Sequence, residues 1–131
     1  MKDINIGTAS ELSGVSAKMI RYYESAGLLK PTARSAAGYR IYSEQDLHAL
    51  RFIRRARELG FSLKQIAELT ALWRDDTRSS AEVKRLAVAH IAELEHKADM
   101  LTAMAKTLRN LADHCHGDDR PECPILEGLD D

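Results

Sequence analysis

The chemistry available to this chain is concentrated in one run, Cys115-His116-Gly117-Asp118-Asp119-Arg120-Pro121-Glu122-Cys123, which holds both cysteines of its 131 residues. Gly117 and Pro121 forbid a continuous helix between them, so the run must turn. A turn of this length can aim two sulfurs at one centre. Residue types and spacing leave three readings open: a metal site, a disulfide, or two unrelated thiols behaving as small hydrophobes. As a metal site, two soft thiolates suit a low-coordinate, thiophilic ion such as Cu(I) better than tetrahedral Zn(II). His114 and His116 flank the first cysteine and are expected to point outward; either ring joining the thiolates would raise competence for Zn(II).

Composition narrows the setting. The length suffices for one core and an extended appendage. No run of about 18 apolar residues exists to span a membrane. Residues 1–14 lack the pattern of a secretory signal. A cytoplasmic, reducing compartment is therefore expected, where closely spaced cysteines are more often metal or redox groups than structural disulfides. Net charge is −1, but its distribution is uneven: residues 1–70 carry 11 Lys and Arg against 7 Asp and Glu, residues 71–131 carry 8 against 13. A basic front suits contact with phosphate. No nucleophile–base constellation, phosphate-cradling glycine loop or pair of acids stands out, so no enzyme is expected.

The elements around the loop must position it. From Ser80 to Asp113 runs a helical pattern free of Gly and Pro, in which Ala87, Ile91, Leu94, Ala98, Leu101, Ala105, Leu108 and Ala112 form a heptad seam. Such a helix is about 50 Å long and cannot bury its seam in a monomer of this size. A two-stranded homodimer is expected, its direction not given by the heptads. Past the loop, Pro124 to Leu129 is expected to make a helical turn that packs over the thiols and excludes water.

The front half reads as two short helices around Gly14, with Ile6, Ala9 and Leu12 on one buried face. Ser16 caps the second helix and Gly27 ends it. This is the outline of a helix-turn-helix, with Lys18, Arg21 and Tyr22 outward. Leu29 to Tyr42, with Pro31 and a turn over 35–38, predicts a hairpin wing whose Arg34, Tyr39 and Arg40 suit a phosphate backbone. Ser43 opens a helix with a buried stripe of Leu47, Leu50, Ile53 and Ala56, and Ser62 opens the next. Arg57 is the arginine of this pair most expected to touch DNA. Phe61 and Trp73 are expected in the core, and residues 74–79 as a hinge.

Three segments carry a family resemblance. Met19-Ile20-Arg21-Tyr22-Tyr23-Glu24 with Gly27-Leu28 resembles the recognition helix of the MerR family of transcription regulators. The run Arg34, Gly38-Tyr39-Arg40, Tyr42 is similar to that family's wing, and Arg54 to Phe61 to its third helix. The resemblance implies a mainly α fold. Its parts are a winged helix-turn-helix DNA-binding domain over 3–73, a hinge over 74–79, a dimerisation helix (coiled coil) over 80–113 and a metal-binding loop with its C-terminal segment over 114–131. Within the family, Cys115 and Cys123 followed by Pro124-Ile125, with serine at Ser80, resemble the CueR-type copper-responsive activators. Sensors of divalent ions carry cysteine at the position of Ser80.

The resemblance implies one Cu(I), or Ag(I) or Au(I), per monomer on Cys115 and Cys123. It implies a palindromic promoter site held by Lys18, Arg21, Tyr23, Arg34, Tyr39, Arg40 and Arg57, and action on RNA polymerase through distorted double-stranded DNA. The genes implied are those of copper export or detoxification. Competing readings are a divalent sensor of the Zn or Pb type, a thiol-redox switch on the cysteine pair, and a copper-buffering module without a DNA role.

Overall fold

The computed structural model describes residues 4–30 and 33–130; Pro31 of the expected wing, and positions 3 and 131 at the ends of the expected domains, lie outside them. Among the described residues, six helices and one two-stranded sheet form two compact units that divide between Val83 and Lys84.

The first unit runs α1 (Ile6–Ser13), α2 (Ala17–Ser25), β1 (Ala33–Arg34), β2 (Arg40–Ile41), α3 (Glu44–Glu58) and α4 (Leu63–Arg74). Side-chain oxygens satisfy the orphan amides at each helix start. Asn5 accepts from Thr8, and Ser16 from Met19. Ser43 with Asp46 and Ser62 with Gln65 form reciprocal capping boxes. Each such cap stabilises its helix by about 1 kcal/mol. The strands pair antiparallel, Ala33 opposite Ile41 and Arg34 opposite Arg40, and an Ile4–Tyr42 bridge extends the pairing toward the N-terminus.

The core gathers Ala9, Ile20, Tyr23, Tyr42, Leu50, Ile53 and Ile66. The α3 stripe of Leu47, Leu50, Ile53 and Ala56 is buried as expected. Each of its larger aliphatics contributes about 1.5–3 kcal/mol. Two expectations fail. Leu12 is exposed, and the position one turn beyond Ala9 is filled by buried Ser13 instead. Serine is tolerated there because its hydroxyl accepts from the Val15 amide at 3.2 Å. Trp73 is 43% exposed rather than in the core. It lies past Ile66 and Thr70, the buried positions of α4, where the helix has already left the core. Its ring stacks on Phe52 at 4.8 Å and walls an apolar cleft of ≈ 300 Å³ with Leu59, Phe61 and Leu69.

The expected hinge is bonded onto the end of α4. Asp75 accepts from the Thr77 amide at 2.9 Å and its hydroxyl at 2.6 Å. Arg78 Nη1 donates to the carbonyls of Trp73 at 3.0 Å and Asp75 at 3.1 Å, covering acceptors that the helix leaves open. The Thr77 hydroxyl and amide, with the Arg78 charge, hold the Asp75 carboxyl below its usual range.

α5 (Ser80–Asp113) is one unbroken helix that begins in the first unit and forms the spine of the second. No helix among the described residues is long and apolar enough to cross a membrane. In the single chain the seam residues Ile91, Leu94, Leu101 and Leu108 are exposed. α6 (Pro124–Leu129) forms the expected helical turn, and its Leu126 is 69% and Leu129 66% exposed. It leans on α5 through Gly128, where any Cβ would run into the Leu111 side chain. Contact through a glycine leaves the helix's leucines facing outward.

Candidate DNA-binding face and thiol site

α2 presents Lys18, Arg21 and Tyr22 on its exposed side, at the i, i+3, i+4 spacing of one helical face. Tyr23, expected at the DNA, is only 4% exposed and packs its ring in the core. It still reaches a groove of ≈ 410 Å³ that it lines with Ser16, Arg54, Arg57 and Glu58. Arg54 sits over Gly14 and pairs with Glu58 at 3.7 Å. Ser16 brings the start of α2, with its outward amides, to the same groove. Sequence reasoning pointed to Arg57 and not to Arg54, which lines the same groove. The available signal was Gly14, which leaves room for a side chain from another element.

In the wing, Arg34 and Arg40 face each other across the ladder. Like charges directly opposite are unfavourable unless each finds an acceptor. Arg34 Nη1 donates to the Gly38 carbonyl at 3.0 Å, and Arg40 pairs with Glu24 at 3.2 Å. The Tyr42 hydroxyl donates to the same Glu24 carboxylate at 3.4 Å, so Glu24 ties the wing to α2. Arg40, expected at the phosphates, is thus half-buried and also a tether. Tyr39 at the tip is 72% exposed.

The thiol site hangs from the end of α5. His114 Nδ1 lies 2.6 Å from the Asn110 carbonyl, and the Cys115 amide donates to the Ala112 carbonyl at 3.1 Å. Gly117 turns the chain with φ +66°, a left-handed conformation that glycine adopts without strain. Arg120 then folds back on Asp118, its amide on Oδ1 at 2.9 Å and its guanidinium on Oδ2 at 2.8 and 2.7 Å. These bonds hold the Asp118 carboxyl below its usual range. Cys123 caps α6, its carbonyl accepting from Glu127 at 3.1 Å.

Both thiols are free and half-buried. The Leu126 amide, then that of Ile125, and the Cys115 thiol favour the Cys123 thiolate and hold its pKa below the ordinary thiol value, against burial and the Glu127 charge. The structure therefore brings Cys115 and Cys123 together across the turn. His114 is turned back to its helix, His116 is exposed, and no three of His, Cys, Asp and Glu converge among the described residues. Two soft donors without a third fit a two-coordinate monovalent ion.

Residues 4–72 match the family model for the MerR HTH family regulatory protein, and residues 47–111 match that for MerR, DNA binding. The chain belongs to the MerR family. Regulators of this family bind promoter DNA, act as dimers and are not enzymes. This MerR-family chain is 60% identical to the HTH-type transcriptional regulator HmrR of Sinorhizobium medicae (strain WSM419), over 96% of its own length and 86% of that relative. To the HTH-type transcriptional regulator CueR of Escherichia coli O157:H7 it is 42% identical, over 96% and 93%. The crystal structure of the regulator PbrR691 from Ralstonia metallidurans CH34, in complex with lead(II), superposes with TM-score 0.85 at 35% identity, covering 96% of this chain and 98% of that one.

Proposed function

We propose that this chain is a cytoplasmic, heavy-metal-dependent transcription regulator that senses Cu(I), with Ag(I) and Au(I) as alternates, and activates genes of copper export or detoxification. What supports the choice of ion is the pair of neighbouring thiols, on which no third His, Cys, Asp or Glu converges among the described residues. A monovalent ion on two thiolates leaves a net charge of −1, whereas a divalent ion there lacks donors. One ion per monomer fills the site. Held by one ion, Cys115 and Cys123 fix the end of α5 to the start of α6 and order the loop between.

Lys18, Arg21 and Tyr22 on α2, Tyr39 and Arg34 on the wing, and Arg57 with Arg54 in the groove hold the DNA. Arg40 orients the wing through Glu24 while adding charge to it. The groove lined by Ser16, Tyr23, Arg54, Arg57 and Glu58 keeps a net positive charge that suits a backbone phosphate. Metal-free and metal-bound dimers both hold the promoter and differ in the DNA shape they enforce, which RNA polymerase reads.

Ser80 is the first residue of the 34-residue α5 and Cys115 follows two residues after its last, Asp113; a helix of that length runs about 50 Å. Ser80 therefore reaches the thiols only from a second protomer whose helix runs antiparallel. A divalent-ion reading draws on the lead(II)-bound relative, but serine in place of cysteine at Ser80 withholds the extra thiolate.

Transcription in vitro from the chain's own promoter, with reduced protein and Cu(I), tests the reading. Cu(I) should raise transcript yield. Cys115→Ser and Cys123→Ser should bind the promoter with nearly unchanged affinity and give no response. Collapse of promoter affinity in both variants would count against the ligand assignment.

A further inference from the structure

We infer that Asp118 and Arg120 form a positioning clamp that holds the metal loop converged before the ion arrives. The inference rests on the reading of Cys115 and Cys123 as the ligands. Both ends of the loop are anchored, Cys115 by the last turn of α5 and Cys123 at the start of α6. Between them the chain is free to open: Gly117 has no neighbour within 4 Å of where a Cβ would stand, and Asp119, Pro121 and Glu122 are exposed. Among the described residues, the hydrogen bonds within 116–122 run from Arg120 to Asp118.

Three contacts on one carboxylate distinguish this pair from the Arg55–Glu58 pair on α3, which makes one at 3.1 Å on a helix already formed by other bonds. Pro121 assists by confining Arg120 to extended backbone, from which its side chain is returned to Asp118. A surface ion pair on rigid structure is worth little. Here it sets the fraction of metal-free molecules whose thiols face each other, and apparent affinity scales with that fraction. The clamp thus acts on ion binding and not on the fold or the DNA-binding unit.

The test is anaerobic Cu(I) competition titration of full-length reduced protein, at low salt and at 1 M salt, with promoter affinity measured alongside. Arg120→Ala should weaken Cu(I) binding about 1.5- to 5-fold at low salt, the population shift expected from one exposed ordering ion pair. Asp118→Asn, which keeps an acceptor for the Arg120 amide but loses the charge, should fall between it and wild type. Arg120→Lys should recover part of the loss. At 1 M salt, where the Debye length is about 3 Å, wild type and Arg120→Ala should converge. At low salt, metal-free promoter affinity should be the same in wild type and in every variant. Unchanged Cu(I) affinity in Arg120→Ala and Asp118→Asn, beside lost binding in Cys115→Ser, overturns the clamp and leaves the thiol site standing. A loss that persists undiminished at 1 M salt also overturns it. Failure of wild type to bind Cu(I) tightly refutes the site reading and the clamp together.

Discussion

Gly14→Ala and Gly27→Ala form a matched pair that separates backbone strain from a contact in the groove proposed to hold a DNA phosphate. Both glycines occupy the left-handed region, at φ +76° and +81°. An alanine there costs about 1–2 kcal/mol. For a unit of this size that is a fall of roughly 4–8 °C in melting temperature per kcal/mol. At Gly27 the new methyl meets nothing within 4 Å. At Gly14 it lands on the Arg54 guanidinium, with Arg54 Cζ at 3.3 Å and Cδ at 3.4 Å. Arg54 is a flexible, half-exposed side chain, so it swings aside at a cost of a few tenths of a kcal/mol and leaves the groove. The two variants should therefore melt alike but bind promoter DNA differently. Removing one phosphate contact should reduce the salt-dependence slope by about 0.9 per protomer in Gly14→Ala alone. Thermal denaturation and fluorescence anisotropy over a salt series measure both quantities. Identical salt slopes would place Arg54 outside the phosphate contacts. Unchanged stability in both variants would refute the left-handed requirement at these turns.

Two further outcomes probe the thiol site. Ser80→Cys should bring a partner's thiolate to each site and tighten Zn(II) or Pb(II) binding beyond the roughly 10–100-fold typical of changes outside the ligand set; an unchanged metal profile by competition titration would place Ser80 away from the thiols. Cys123 should alkylate in metal-free protein at lower pH than an ordinary thiol. A depressed pKa keeps the thiolate present until pH falls through that lower value, and the thiolate is the nucleophile. A pH–rate profile by mass spectrometry that turns at or above the ordinary thiol value would contradict the amide stabilisation described.

Much of this fold was legible because local signals agreed. Ser16, Ser43 and Ser62 each stood ahead of an apolar stripe and each caps a helix. The heptad run marked α5 at both ends, Ser80 and Asp113. Misreadings came where a residue's type does not fix its surroundings. An eight-residue helix offers about two turns, too few for periodicity to tell Leu12 from Ser13. Trp73 carries a large apolar ring that exposure does not forbid at a helix end. Tyr22 and Tyr23 are identical in type and adjacent, yet one faces out and one in, so only the placement of Ile20 and Tyr23 on the same core face decides between them. At the candidate site, the two cysteines and the turn-forming Gly117 were visible in the residue types. The Arg120–Asp118 contacts and the return of His114 to Asn110 were not, because both depend on the path the backbone takes after α5 ends.

The central claim is that Cys115 and Cys123 form a two-thiolate site for a monovalent ion. Anaerobic titration of the reduced protein with Cu(I) under a competing chelator, with Zn(II) run in parallel, tests it most directly. One Cu(I) per monomer, held far more tightly than Zn(II), is the result this account requires. Zn(II) held as tightly as Cu(I), or loss of binding in His114→Ala or His116→Ala, would contradict it by bringing an imidazole into the ligand set.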